Sequence, residues 1–265
     1  MNMTYLLTAA ILFGATAAGF AQTTFTKITE GDLVNDLRSY TGAAWGDFNK
    51  DGLLDVFLSH YGGVNAFYRN DGGGTFTRLT QTPPVQDVDT HTIPSWGDYD
   101  NDGNLDLLVP AGLLASGATN TKLYRNNGDG TLASENGGDI TAQLGHFGGG
   151  WVDYNNDGFL DVLISDIASD QGGKSLLFRN NGDGTFTKIE APPLTTDISV
   201  VFAHLWADYD NDGFSDLFLV NNQSEATRFY QNERNGAFSR VLTGAIGTDR
   251  VHDHPNGGAW GDYDN

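Results

Sequence analysis

The stretch DYDNDGNLD, Asp98 to Asp106, carries an acid at its first, third, fifth and ninth positions and a glycine at its sixth. The pattern returns as DFNKDGLLD from Asp47, DYNNDGFLD from Asp153 and DYDNDGFSD from Asp208, and a further copy opens at Asp262. The first acids lie 51, 55, 55 and 54 residues apart. A fixed period of this size marks a repeat architecture rather than several unrelated domains.

Each copy offers the oxygens that a hard cation takes. Positions 1, 3 and 5 present Asp or Asn, the glycine permits a sharp bend, position 7 can turn its backbone carbonyl inward, and the ninth-position Asp closes the shell. The candidate ligands are therefore Asp47, Asn49, Asp51, Leu53 and Asp55 in the first copy, and Asp98, Asp100, Asp102, Asn104 and Asp106 in the second. The third copy supplies Asp153, Asn155, Asp157, Phe159 and Asp161, the fourth Asp208, Asp210, Asp212, Phe214 and Asp216, and the fifth begins with Asp262 and Asp264. Six to eight oxygens at this spacing suit Ca²⁺ better than Mg²⁺, and no soft side chain is present to select zinc or copper. The expected cofactor is Ca²⁺, one for each of the four complete loops. An EF-hand would need Glu at position 12, which here is Leu58, Val109, Ile164 or Leu219. Asp, Asn and Gly also make ordinary turns, but a turn needs one or two such residues, not five in register four times over.

The chain opens with MNMTYLLTAAILFGATAAGFA, which has no charged side chain. Its apolar run from Leu6 to Phe20 is short for a membrane span, and Gly19 and Ala21 are the small residues of a cleavage site before Gln22. Residues 1–21 read as a secretory signal, so the expected location is secreted or cell-surface, with no membrane span in the mature chain. There is no cysteine, and a chain of this length can bury a core without disulfides. The formal charge is −20. An aromatic content of 12% argues against a disordered acidic tail, and 14 of the 34 acids sit in the four complete loops, where four Ca²⁺ would add +8. No basic patch is available to neutralise phosphates, so nucleic acid is not an expected partner.

Four short strand signals make up each unit. In the first they are TGAAWGD ending at Asp47, LLDVFLSH from Leu53, NAFYRN from Asn65 and TFTRLT from Thr75. The acid loop joins the first two, and a Gly/Asn turn at Asn70, with counterparts at Asn126 and Asn180, joins the last two. The second strands, DVFLS, DLLVP, DVLIS and DLFLV, are apolar on both faces, so each sheet must be covered on both sides. Four-stranded blades around an axis provide that environment, and the expected fold is an all-β propeller: four complete blades plus a partial fifth, residues 22–265. TTFTKIT at Thr23 to Thr29 resembles the fourth strand of a unit, and is expected to complete the last blade of a ring that this chain leaves open.

Every tryptophan, Trp45, Trp96, Trp151, Trp206 and Trp260, stands two residues before a first acid, which suggests packing between blades. The intervening residue is small: Gly46, Gly97, Val152, Ala207 or Gly261. Arg69, Arg125 and Arg179 align at the end of the third strand, where Gln231 replaces them in the fourth unit; ion pairs with a neighbouring blade are their expected use. The histidines His91, His146, His204, His252 and His254 lie upstream of the loops at unequal offsets, as solvated loop residues would.

The combination WGDxxxDGxxD followed by a segment of the type LYRNNGDGTF resembles the FG-GAP/VCBS repeat family, whose members form extracellular β-propellers of about seven blades and include the integrin α-chain headpiece. The resemblance covers roughly Thr23 to the end, departing at QNERNGAF from Gln231. It implies calcium in the hairpin between the first two strands of each unit. The family spans adhesins, lectin-like modules and parts of polysaccharide-degrading enzymes, so it fixes architecture more firmly than activity. No nucleophile elbow, zinc-protease helix or phosphate loop is present. The expected function is a binding or adhesion module for an extracellular protein or glycan, presented on segments such as Gln81–Ile93, Gly112–Thr121 and Ile189–Val200. The alternative is the propeller of a polysaccharide lyase or hydrolase, in which calcium or an axial histidine assists.

Overall fold

A computed structural model describes residues 27–88, 92–110, 112–114, 117–118, 120–142, 146–166, 173–198, 201–221, 227–244 and 258–261. The expected secretory signal, Asp262, Asp264, His91, His252 and His254 lie outside them. Of the expected first strand, residues 27–29 carry no strand pairing and the rest is not described.

Four four-stranded antiparallel sheets follow one another along the chain. The first holds β1 (Tyr40–Gly46), β2 (Asp55–His60), β3 (Ala66–Gly72) and β4 (Thr75–Leu79). After a single helical turn, α1 (Pro83–Gln86), the second holds β5 (Ser95–Gly97) and β6 (Asp106–Val109), then a short added hairpin of β7 (Leu113–Leu114) and β8 (Gly117–Ala118), and then β9 (Lys122–Asn126) and β10 (Leu132–Glu135). The third is β11 (His146–Val152), β12 (Asp161–Asp166), β13 (Ser175–Asn180) and β14 (Phe186–Ile189). The fourth is β15 (Val201–Ala207), β16 (Asp216–Asn221), β17 (Arg228–Asn232) and β18 (Phe238–Val241). The first strands of successive sheets lie against one another, so the sheets are arranged like propeller blades, without closing into a ring.

The doubly apolar second strands find a neighbour on each face. Val56 packs with Tyr68 beneath Leu33, whereas the next residue, Phe57, points the other way and meets Leu107 and Val109 of the second sheet. Leu108 turns instead to Val162 and Ile164 of the third, and Leu163 to Leu217 and Leu219 of the fourth. Alternation at period two thus feeds two cores from one strand. The linkers are part of these cores. Val85 and Leu194 are buried between blades, so Gln81–Ile93 and Ile189–Val200 serve packing as well as exposure, contrary to their expected role as free recognition segments.

Trp96, Trp151 and Trp260 pack between blades, whereas Trp45, on the first blade, is exposed and meets only Phe76 of its own sheet among the described rings. Trp96 Nε1 donates to Ala44 O and Trp151 Nε1 to Ser95 O, both at 3.2 Å, while Trp151 stacks on Tyr99 at 6.1 Å. The preceding blade admits the ring because it has no side chain there: a Cβ on Gly46 or Gly97 would lie 2.8 or 2.7 Å from the Trp. Ala207 still lets Trp260 reach Leu205 O at 3.1 Å. Val152 is branched, and Trp206 Nε1 finds no acceptor among the described residues.

Candidate metal centres

The strand register builds each acid loop. Gly46 pairs Asp55, Gly97 pairs Asp106, Val152 pairs Asp161 and Ala207 pairs Asp216, so positions 1 and 9 meet at the mouth of the hairpin. Between them the backbone twice adopts the left-handed conformation. Position 4 (Lys50, Asn101, Asn156, Asn211) has φ of 57–60°, and position 6 is glycine with φ of 83–92°. Asn tolerates this region best among residues with a side chain. Folded in this way, the position-6 amide donates to the first acid: Gly52 to Asp47 Oδ2 at 2.8 Å, Gly103 to Asp98 at 2.8 Å, Gly158 to Asp153 at 3.0 Å and Gly213 to Asp208 at 2.9 Å.

The ninth-position acids are the anchors. Asp55, Asp106, Asp161 and Asp216 are all buried. One oxygen of each accepts the backbone N–H of the Asn ending the third strand, at 2.7–2.8 Å. The other accepts the position-2 amide in three of the loops, from Phe48, Tyr99 and Tyr209 at 3.2–3.3 Å, while Asp161 Oδ2 is buried with no hydrogen-bond partner among the described residues. Burial, reinforced by the neighbouring acids, outweighs these donors and raises all four carboxyls, Asp106 and Asp161 to about 7. A bound cation would favour the charged form and reverse that shift.

Two loops bring acids to coordinating separation. Oxygens of Asp98, Asp100 and Asp106 all lie within 4.8 Å of one another, as do those of Asp208, Asp210 and Asp216. Asp98 Oδ1 is buried with no hydrogen-bond partner among the described residues. Its counterparts in the other loops each accept the position-5 amide, at 2.9–3.1 Å. An all-oxygen donor set with an unpartnered carboxylate oxygen fits a hard divalent ion. Position 5 stands apart from both clusters: Asp102 Oδ1 takes the Asn104 amide at 2.8 Å, and Asp51, Asp157 and Asp212 accept from Leu53, Phe159 and Phe214 in the same way.

The first and third loops differ at position 3, where the amide of Asn49 or Asn155 donates to Asp51 or Asp157 at 2.8–2.9 Å. The second and fourth loops have a carboxylate there, and a strand or turn side chain reaches it instead. Arg125 Nε meets Asp100 at 2.6 Å and its terminal nitrogen meets Asp102 at 2.8 Å. In the fourth unit Gln231 donates to Asp210 at 2.7 Å, and Arg234, at φ 62°, reaches Asp212 at 2.7 Å. The expected pairing of the aligned arginines with a neighbouring blade is not what the structure shows. Arg125 serves the loop of its own blade, Arg69 pairs Asp71 in its own turn, and Arg179 is exposed with no ion pair among the described residues.

Two sets of residues escaped the sequence reading. The first is the Asn beside those arginines. Asn126 Nδ2 donates to Phe48 O of the previous loop at 2.7 Å and to Leu105 O of its own at 3.1 Å, while its Oδ1 takes the Gly128 amide at 3.0 Å. Asn180 and Asn232 repeat all three contacts, Asn232 despite the departing QNERNGAF turn. Its invariance across the four units was the available signal. The second is the Asp nine residues before Trp: Asp36, Asp87 and Asp197 accept the hydroxyls of Tyr68, Tyr124 and Tyr230. The third unit has Ala142 and Phe178 at these places, a paired change visible in the repeat alignment.

The loops are also tied to each other. Asn101 Nδ2 donates to Gly158 O at 2.9 Å and Asn156 Nδ2 to Gly213 O at 2.7 Å. At the opposite end of the second blade lies a cavity of about 400 Å³, lined among others by Asp87, Asn120, Lys122, Glu135, Asn136 and Thr141. Of the histidines, His204 bonds Ser165 between the third and fourth sheets, and burial lowers its pKa to about 4. His146 begins β11.

A family model described as FG-GAP-like repeat matches residues 47–109 and 153–219. Cartilage acidic protein 1 of Homo sapiens is 29% identical over 136 residues, 47% of this chain and 20% of that protein. The Xenopus tropicalis protein of the same name is 26% identical over 203 residues, 72% of this chain and 30% of its own. The chain therefore spans 20–30% of the length of these curated relatives. Among solved structures, an Agrocybe aegerita lectin described as recognising non-reducing terminal N-acetylglucosamine aligns with 77% of this chain and 67% of its own, at 18% identity and a TM-score of 0.36. The V. cholerae biofilm matrix protein Bap1 aligns with 76% of this chain and 28% of its own, at 18% identity and a TM-score of 0.43. With two matched segments that span acid loops of the first two and last two sheets, the chain belongs to the FG-GAP repeat family.

Proposed function

We propose that this chain is a secreted, calcium-stiffened binding module, taking Ca²⁺ at the four acid loops and a protein or glycan at the opposite end of the blades. The observation that carries the calcium reading is the unpartnered Asp98 Oδ1 beside Asp100 and Asp106, in a loop shape that recurs in every sheet. Calcium would supply the positive charge that crowded carboxylates need, and Asp47, Asp98, Asp153 and Asp208, with the third-, fifth-, seventh- and ninth-position groups after each, would hold it.

Metal and ligand ends separate because each second strand carries the chain away from its acid loop. The far end holds the cavity on the second blade, whose lining has acids, amides and hydroxyl residues with one lysine, Lys122, that lies 3.4 Å from Asp87. Such a surface suits a polyhydroxylated or cationic partner better than an anion. No helix among the described residues is long and apolar enough to cross a membrane. Relatives named for cartilage support an extracellular setting. The lyase or hydrolase alternative draws nothing from His204, whose ring is held against Ser165 between blades.

Binding of the chain to arrays of glycans and extracellular matrix proteins, with calcium and with chelator, tests the ligand half of this reading. Retention that needs calcium and is lost on replacing Asn120 and Glu135 is the expected result. Turnover of a polysaccharide, without stable retention, would contradict it.

A further inference from the structure

Resting on the calcium reading above, we propose that Arg125, and in the fourth unit Gln231 with Arg234, are built-in competitors of the divalent ion, setting two alternating classes of calcium loop along the chain. The geometry is a competition for shared oxygens. Arg125 holds Asp100, one of the three acids at coordinating separation in its loop, and also Asp102. A divalent ion drawing on the same carboxylates has to loosen that fork. In the first and third loops the position-3 residue is an amide, Asn49 or Asn155, which satisfies the position-5 acid from within the loop, and no side-chain cation among the described residues forms an ion pair with that acid: Arg69 is engaged by Asp71, and Arg179 is exposed. Carboxylate count and cation contact therefore change together: three acids with no arginine, four acids with one.

The fourth unit argues that this is not a chance surface pair. Its strand position has lost the arginine to Gln231, which can still bond Asp210 but brings no charge. The charge returns two residues past the Asn that ends the strand, where the other three units have Gly72, Gly128 and Gly182 in the left-handed conformation. Arg234 takes that conformation at φ 62°, one that side chains ordinarily avoid, and its guanidinium reaches Asp212 at 2.7 Å. The same net charge arrives at the fourth loop by a different route.

The competition makes affinity in the second and fourth loops weaker than four carboxylates alone would give, while keeping those loops folded as calcium falls. Arg125→Met keeps the aliphatic stem and removes the fork; Arg234→Gly restores the residue that the turn prefers. Calcium titration calorimetry on the chain and both variants, with Arg69→Met as control, is the test. Each of the two variants should tighten one site by roughly two- to fivefold, the scale of partly exposed ion pairs, and Arg125→Met should also lower the melting temperature measured in chelator. The control should change neither. A proton–nitrogen correlation of the Arg125 Nε–H, hydrogen-bonded at 2.6 Å, should shift on calcium addition in the unmodified chain. Unchanged or weaker calcium binding in both variants, with an unmoved Nε–H resonance, would overturn the competitor role while leaving the calcium reading intact. A parent chain that takes up no calcium would overturn the calcium reading itself, and this inference with it.

Discussion

At the scale of single residues, the side chain that does most for each acid loop is one without charge. Asn180 joins Tyr99 O of the second blade, Leu160 O of its own loop and the Gly182 amide in one buried group. Asn180→Ala leaves two carbonyls and an amide without partners, and we expect a loss of about 2–3 kcal/mol in urea unfolding. Asn181→Ala next door, whose bonds are exposed, should cost a few tenths, about the usual surface value. His204 offers a second test at this scale. Its folded pKa, near 4 through burial, lies below the ordinary 6.5, so between those values the unfolded chain binds a proton that the folded chain refuses. Its contribution to stability is complete above pH 6.5 and falls as pH drops toward 4, with a slope of up to about 1.4 kcal/mol per unit. His204→Gln should flatten that part of the difference between urea midpoints at pH 7.5 and pH 4.5. Equal pH dependence in both proteins would rule out the assignment.

At the scale of elements, the contacts between blades depend on what is missing as much as on what is present. Trp151 occupies the place a side chain on Gly97 would fill. Gly97→Ala should therefore cost about 1–3 kcal/mol by overpacking. Gly150→Ala, on the corresponding strand of the next blade with open space at its Cβ, should leave the urea midpoint nearly unchanged. Similar effects of the two substitutions would mean that the Trp does not fix the spacing of the blades. The strands themselves were legible because their pattern is local: WGD, the acid loop and the doubly apolar run each recur in every unit. The linkers were not. Val85 and Leu194 are each one apolar residue among several in segments of different length, and only the fold shows that they fill corresponding gaps between blades. The partner of Arg125 was misplaced for a similar reason: alignment locates the residue at a strand end but cannot say which blade's acids it meets.

At the scale of the whole molecule, the acid spacing gave away the blades and the loops, while the partner at the far end stayed out of reach, since a cavity of about 400 Å³ built from four separate stretches leaves no contiguous motif. Charge dominates the remaining behaviour. With 34 acids against 14 basic residues, and carboxylates gathered in each loop, a close pair repels by about 4 kcal/mol at an effective dielectric of 20. Part of that is met by loop amides and by Arg125 and Arg234, and the calcium account assigns the rest to bound ions. The most direct measurement is equilibrium dialysis against calcium, followed by elemental analysis of the chain and of Asp106→Asn, together with melting curves in calcium and in chelator. Four ions are expected at saturation, one fewer in the variant, with a clearly lower melting temperature in chelator. A chain that retains no calcium and melts identically in both conditions would contradict the calcium reading.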